Sequence, residues 1–197
     1  MDNCSGEYVS ILKNTEGKSH LLTMIFYLAA PTLALKKPSS LISFSHNSHD
    51  LYALWEMYKD DVTRRVGIKY IELRKTKENI LVLFYNPMVL NNTLFRKRHR
   101  DFLSGYGYRD AENLSQHLEL LKKRFAFGFP HEIGIFLGIP LEDVQGFIEN
   151  RGKKCLATKY WKVYHNQERA QRIFLSYDKA RRNMMISLKK EYLKLSV

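Results

Sequence analysis

Apolar residues between positions 129 and 152 recur at helical spacing and are interrupted once by a glycine–proline corner. Gly138 stands where a helix commonly ends in the left-handed conformation, and Pro140 can begin the next helix but cannot continue the first. The pattern predicts two short helices joined by a tight corner, with their apolar sides turned inward. The residues expected in those buried sides are Ile133, Phe136, Leu137, Val144, Phe147 and Ile148.

A β-hairpin is predicted upstream of this corner. Residues 68–76 and 79–86 are rich in strand-forming side chains and flank a turn at Lys77 and Glu78. The second segment is apolar on both faces, which is typical of a central strand covered by helices on each side. A further short strand is expected at 41–44.

Helical periodicity predicts the elements around this sheet. A buried helix is predicted from Leu21 to about Ala30, and a second helix is capped by Asn47 or Ser48 and ended by Gly67. A third helix carries Leu90, Leu94 and Phe102 and is broken at 105–107, and an amphipathic helix follows over 111–127. The last predicted helix is long and basic, covers 166–197 and has Asn166 as its N-cap. The expected fold is α+β, with a sheet of three or four strands wrapped by about six helices. We expect a single domain over residues 1–197, frayed over residues 1–19.

The most hydrophobic stretch, residues 21–35, could be a signal peptide or a membrane span instead of a core helix. Asp2 and Glu7 stand where a signal peptide has basic residues, and the stretch is shorter than the ~20 residues of a spanning helix. Pro31 also interrupts it. A buried helix is the better interpretation, and we expect no transmembrane segment.

Charge is distributed unevenly along the chain, whose formal net charge is +12. From Arg151 onward, thirteen basic residues face three acidic ones, so this part carries ten of the twelve net positive charges. A second basic cluster occupies residues 96–100. This asymmetry indicates an anionic partner: nucleic acid, an acidic protein or a membrane surface. A solvated basic face without a partner is the alternative.

Two cysteines, Cys4 and Cys155, are too few for a disulfide framework and are typical of a reduced, cytoplasmic protein. A hydrophobic content of 45% argues against a disordered chain. The oligomeric state is left open by these patterns.

Aromatic and cationic residues interleave in a strand predicted at 160–164. Alternation turns Trp161 and Val163 toward the core, and in the simplest interpretation the residues between them only cover the outer face. In the functional interpretation the outer rings stack on bases while lysines and arginines bind phosphates. The predicted anion-binding face consists of Lys159, Tyr160, Lys162, Tyr164, Arg169, Arg172, Arg181 and Arg182.

The corner at 129–152 supports two other hypotheses. Its spacing of small and apolar residues resembles a DNA-reading helix-turn-helix, but the second helix opens with Glu142 and Asp143, which would repel phosphates. His131 and Glu132 are the candidate pocket residues of an enzyme. The HExxH zinc pattern is absent because position 135 is isoleucine, and the chain has no phosphate-binding glycine loop or nucleophile elbow. The sequence therefore nominates no catalytic residue, metal site or cofactor.

Two segments resemble an uncharacterised family. PHEIGIFLGIPLEDVQGFI followed by YWKVY resembles the signature of a domain-of-unknown-function family of bacteria of the Clostridia type, and APTLALKKPSSL resembles its first block. In that family a His-Cys-Ala-like triplet is expected where this chain has Leu28, Ala29 and Ala30. The resemblance implies a cytosolic bacterial protein and no known activity.

We therefore expect a binding or accessory protein of unknown function that uses its basic surface for an anionic partner. A nucleic-acid-binding protein without sequence specificity is the second hypothesis. An enzyme whose site is assembled from residues distant in the sequence is the third.

Overall fold

A computed structural model describes residues 8–9, 11–46 and 49–195 of the chain. Its main sheet consists of β1 (Ser39–Ser45), β2 (Lys69–Lys75) and β3 (Asn79–Tyr85). Both β1 and β2 pair antiparallel with β3, so the strand order is β1-β3-β2. The predicted hairpin and the predicted central strand are both confirmed.

Helices form most of the remaining described chain. In order they are α1 (Gly17–Leu28), α2 (Ala30–Leu33), α3 (Leu51–Val66), α4 (Pro87–Leu94), α5 (Lys97–Leu103), α6 (Leu114–Arg124), α7 (Ile133–Phe136), α8 (Leu141–Glu149) and α9 (Gln167–Leu195). A π-helical turn covers Ser104–Tyr108, and a 3-10 turn covers Phe125–Phe127. A small ribbon of β4 (Ala157–Thr158) and β5 (Lys162–Val163) precedes α9.

Apolar side chains cover both faces of the main sheet. On one face, Val82 and Phe84 join a buried cluster with α1 and α3, in which Phe44 stacks on Trp55 at a ring distance of 4.7 Å. On the other face, Leu83 joins a cluster with α4, α6, α7 and α8. The structure therefore confirms the α+β fold, with helices on both sides of the sheet.

The hydrophobic N-terminal stretch is a buried helix, as predicted. Leu21 and Ile25 of α1 have no solvent exposure, and the next helix, α2, places Pro31 in its first turn. Tyr8 stacks on Tyr27 of α1 at 3.8 Å. Within the predicted frayed segment, residues 1–7 and 10 lie outside the described residues. In the part of the chain that the structure describes, no helix combines the length and the apolar composition that crossing a membrane requires.

The start of α3 differs from its prediction. Its N-cap is Asp50, whose carboxylate accepts a hydrogen bond from the Ala53 backbone N–H at 3.2 Å. The predicted capping residues, Asn47 and Ser48, lie outside the described residues.

A single helix was expected to run through the 96–100 cluster, but the structure has two, α4 and α5. The break occurs where Arg96 takes an extended conformation and the His99 Nδ1 donates to the Thr93 carbonyl at 2.7 Å. Similarly, α6 begins later than predicted because the Asn113 side chain caps it by accepting from the Gln116 N–H at 3.0 Å. Side-chain hydrogen bonds to the backbone thus set both boundaries.

The predicted cap of the last helix is confirmed, since the Asn166 side chain accepts from the Arg169 N–H at 2.9 Å. The buried side of α9 faces α1, α2 and the β4–β5 ribbon. Its fully buried members are Ala170, Phe174, Tyr177, Ala180 and Met185, whereas Ile173 and Met184 are only half-buried.

Candidate functional site

The corner between α7 and α8 is built as the sequence predicted. Gly138 has φ +75°, the left-handed conformation that glycine adopts without strain. Ile133, Phe136 and Val144 are buried in the cluster that contains Leu83, whereas the other three residues predicted for these sides, Leu137, Phe147 and Ile148, are half-buried. The apolar sides of this corner therefore form part of the core.

Gly138 also sets the position of a neighbouring loop. A Cβ at Gly138 would lie 2.5 Å from Cδ of Pro38, so only glycine lets this loop approach so closely. As a result, Lys36 and Lys37, which follow α2, stand beside the corner.

Basic residues from three separate segments meet in a cleft of about 540 Å³ at this corner. The segments are the loop after α2, the start of α5 and the first turn of α9. We call this site the basic cleft, and its six cations are Lys36, Lys37, Arg96, Lys97, Arg98 and Arg169. Glu142 is the acidic residue in its lining, so the cleft is strongly positive.

Glu142 orients two of these cations. Its carboxylate accepts a hydrogen bond from Arg98 Nη1 at 2.9 Å and lies 3.8 Å from Arg169 Nη1. The pKa of Glu142 is lowered, chiefly by a hydrogen bond from its own backbone N–H and further by Arg98 and Arg169, so it stays ionised. Arg98 is 71% exposed and Arg169 is 51% exposed, so both remain available to a ligand.

Two other groups in the basic cleft have perturbed protonation. Burial lowers the pKa of His99, so its imidazole is neutral at neutral pH and adds no charge to the cleft. Burial, and then the nearby Arg181, lowers the pKa of Lys37 to about 8. The Lys37 ammonium lies 5.6 Å from the ring centre of Tyr177, a cation–π distance.

The predicted anion-binding face is divided between several places. Lys159 and Tyr160 both bond to Asp178 on α9, at 2.5 and 2.7 Å, and Arg181 lies between the rings of Tyr160 and Tyr27 at 4.9 and 5.1 Å. Three predicted anion-binding residues therefore form one packed cluster with a carboxylate.

The other predicted residues lie elsewhere. Lys162 donates to the Gly152 carbonyl at 2.7 Å, and Tyr164 packs edge-on against Phe147. Arg172 and Arg182 are exposed on α9. Of the eight predicted residues, Arg169 lines the basic cleft. The sequence showed the 96–100 cluster, but its meeting with Lys36 and Lys37 depends on tertiary contacts.

His131 and Glu132 line a second cleft, of about 340 Å³. We call it the aromatic cleft; its lining includes Tyr106, Arg124, Phe127, Phe129, His131 and Glu132. The Glu132 carboxylate is 1% exposed, and its Oε1 accepts hydrogen bonds from Arg124 Nε and from the Tyr108 hydroxyl. Glu132 Oε2 is also buried and has no hydrogen-bond partner in the structure.

Two side chains adjoin Glu132: His131, which lines the aromatic cleft, and Tyr108, which lies outside its lining. His131 is exposed, and its ring stands edge-on to Phe147 at 5.2 Å. Burial, and then the Glu132 charge, raises the pKa of Tyr108, so its hydroxyl stays protonated and acts as a donor. The two predicted pocket residues thus share one cleft, in which Glu132 accepts and Arg124 donates.

The fold and these clefts define an α+β protein with a small helix-covered sheet and a basic cleft at a helical corner. The family whose model matches residues 25–195 is described as "Protein of unknown function (DUF3793)", and the chain belongs to it. This confirms the resemblance to a family of unknown function. No curated protein and no solved structure matches the chain.

Proposed function

We propose that the protein binds a phosphate-bearing polyanion through the basic cleft. The observation that carries this proposal is the meeting of six cations from three segments around one carboxylate. A cleft lined by charges of one sign concentrates its field and attracts oppositely charged ligands over several ångströms.

The chemistry of the cleft suits phosphate oxygens. Arginine offers a planar set of donors that matches a phosphate group, and Arg98 and Arg169 are already turned toward the carboxylate of Glu142. An incoming phosphate can accept from the outer N–H groups of both side chains while Glu142 holds them in place. Lys36 and Lys97 add two exposed charges to the lining.

A cytoplasmic location is part of the proposal. Two cysteines in 197 residues, Cys4 and Cys155, fit a reducing compartment, where nucleic acids are the most abundant polyanions.

The test is a binding series with a fluorescein-labelled single-stranded oligonucleotide, measured by anisotropy at increasing salt. Each phosphate contact contributes about 0.7 to the slope of log affinity against log salt, so a cleft of this charge should give a slope of several units. A flat response would overturn the proposal.

A pair of charge-matched variants locates the site. Lys97→Glu with Arg169→Glu reverses two exposed charges in the basic cleft, and we expect a weaker complex whose salt slope is lower by about 1 to 2. Lys179→Glu with Arg182→Glu makes the same charge change at exposed positions of α9 outside that lining and serves as the control. Equal losses in the two variants would mean that only net charge matters.

A further inference from the structure

The basic cleft and the aromatic cleft each share lining residues with a third cleft, of about 360 Å³ and mainly apolar. The third cleft shares Phe129 and His131 with the aromatic cleft and Ile139 with the basic cleft. Because neighbouring clefts have these residues in common, we call the three together the groove. It has a cationic end and an aromatic end, which suits an elongated ligand with two kinds of chemical group.

The aromatic end exposes rings that would ordinarily be buried. Phe127 is 93% exposed and Phe129 is 54% exposed. Both lie just after α6, and Phe129 stands edge-on to the buried ring of Phe125 at 5.3 Å. The Phe129 ring is therefore packed against the core, while the Phe127 ring remains open to solvent.

The polar groups of the aromatic cleft are incompletely satisfied. Both donors to Glu132 reach the same oxygen, Oε1, which leaves the buried Oε2 without a partner. An unpaired buried acceptor is unfavourable, and an apolar occupant of the cleft would leave it so. Oε2 itself has almost no accessible surface, so an occupant with an N–H or amino group at its edge would satisfy it once the Glu132 side chain turned toward the cleft.

Arg124 supplies the complementary group. Its Nε is bound to Glu132, its side chain is 39% exposed, and its guanidinium lies 5.7 Å from the ring centre of Tyr106. The cleft thus combines an acceptor and a cationic donor next to exposed aromatic faces. This combination matches a flat heterocycle whose edge carries both a donor and an acceptor.

We propose that the polyanion is single-stranded nucleic acid, and that the aromatic cleft holds one unstacked base while the basic cleft holds backbone phosphates. This inference rests on the proposed function. A base has a π-face for Phe127 and Phe129 and a hydrogen-bonding edge for Glu132 and Arg124. An acidic peptide could neutralise the basic cleft, but its acidic side chains would bring a second acceptor to Glu132.

The test compares three labelled probes of equal length at one salt concentration: an oligodeoxynucleotide, an abasic oligodeoxynucleotide with the same phosphates, and poly-glutamate. We expect the base-containing strand to bind about tenfold or more tighter than the abasic strand, as stacking of one base would give. Equal binding of the two strands would overturn the base site while leaving the phosphate site of the proposed function intact. Poly-glutamate that matches the base-containing strand would overturn it in favour of a protein partner.

Variants at exposed rings assign the effect to the aromatic cleft. Phe127→Ser with Phe129→Ser should abolish the preference for the base-containing strand and leave abasic binding unchanged. Met57→Ser with Ile186→Ser, at positions 70% and 50% exposed and outside the groove, is the matched control and should keep the preference. A preference that survives the phenylalanine variant would overturn the proposal.

Photocrosslinking gives an independent readout. After ultraviolet irradiation and trypsin digestion, the aromatic cleft lies mainly in the peptide from Phe125 to Arg151, because no lysine or arginine stands between Arg124 and Arg151. We expect the crosslinked nucleotide in this peptide and its loss in the phenylalanine variant. Crosslinks confined to α9 peptides would contradict the assigned base site.

Discussion

Asp143 and Glu132 are two buried carboxylates of the same helical corner, 3% and 1% exposed. Asp143 uses both oxygens: Oδ2 accepts from the Trp161 indole at 2.7 Å, and Oδ1 accepts from the backbone N–H groups of Tyr164 and His165 at 2.8 and 3.0 Å. Glu132 uses Oε1 alone, for Arg124 and Tyr108.

The difference separates a structural carboxylate from a candidate binding group. Asp143 ties α8 to the segment around β5, and the three donors it satisfies have no need of a ligand. Glu132 retains an unused buried acceptor in a cleft. Burial alone therefore does not identify a functional carboxylate, whereas the number of satisfied oxygens distinguishes the two.

The largest expected effect is loss of the Asp143 carboxylate. Asp143→Ala leaves the Trp161 indole and two backbone N–H groups unpaired, so we expect a loss of about 3 kcal/mol or more in the free energy of unfolding. Urea denaturation followed by circular dichroism measures it. Trp161→Phe removes a single donor and should lower the free energy of unfolding by about half as much. A loss below about 1 kcal/mol for Asp143→Ala would show that the three hydrogen bonds do not stabilise the fold.

The next effect tests the packing of α8 against the segment that Asp143 binds. A Cβ at Gly146 of α8 would lie 2.5 Å from Cβ of Tyr164, so Gly146→Ala must push α8 away from the residue that Asp143 binds. We expect a destabilisation of about 2 kcal/mol by overpacking. Gly105→Ala is the control, because a Cβ there meets no atom within 4 Å and should change stability by less than about 0.5 kcal/mol. Equal effects would indicate that α8 can shift freely.

A third pair of variants compares the carboxylates directly. In Glu132→Gln the amide oxygen can replace Oε1 as the acceptor from Arg124, so only the negative charge of the side chain is lost. We expect this to lower the free energy of unfolding by about 1 kcal/mol. In Asp143→Asn one amide N–H must face a donor, because both oxygens are in use. We expect the second loss, measured in the same urea experiment, to be at least twice the first. The reverse order would remove the distinction between the two carboxylates.

Much of the secondary structure was predictable, because at these elements the local sequence signals agree with the tertiary packing. The apolar run at 79–86 became the central strand, Gly138 took the left-handed conformation, and Asn166 capped α9. These features depend on propensities of a few neighbouring residues. The hydrogen-bond partners of Glu132 and Asp143 were not predictable. Glu132 was predicted as a pocket residue and Asp143 was assigned to a helix start, and their partners are 8 to 24 residues away in sequence.

The candidate site was predictable only in part, for the same reason. The 96–100 cluster and the basic last helix were visible, but charge in the sequence does not show which cations meet. Lys36 and Lys37 reach the basic cleft because Gly138 admits Pro38, a contact between residues 100 positions apart. The sequence also did not show that Lys159 and Tyr160, two residues of the predicted anion-binding face, donate hydrogen bonds to Asp178.

The smallest expected effect concerns a half-buried charge of the opposite sign, Lys37. Its pKa is lowered to about 8, chiefly by burial, against an ordinary value of 10.5. Between these values the unfolded chain holds the proton more tightly than the folded protein does, so raising the pH from 8 to 10.5 relieves the penalty and stabilises the fold. Below pH 8 the penalty is constant. After allowance for solvent screening of this partly buried group, we expect the wild type to gain about 1 kcal/mol relative to Lys37→Met across that range. Urea denaturation of both proteins at several pH values measures the difference, and the other titrating groups cancel because both proteins share them. A difference that stays constant with pH would mean that the Lys37 ammonium is fully hydrated, and the basic cleft would then be shallower than its lining suggests.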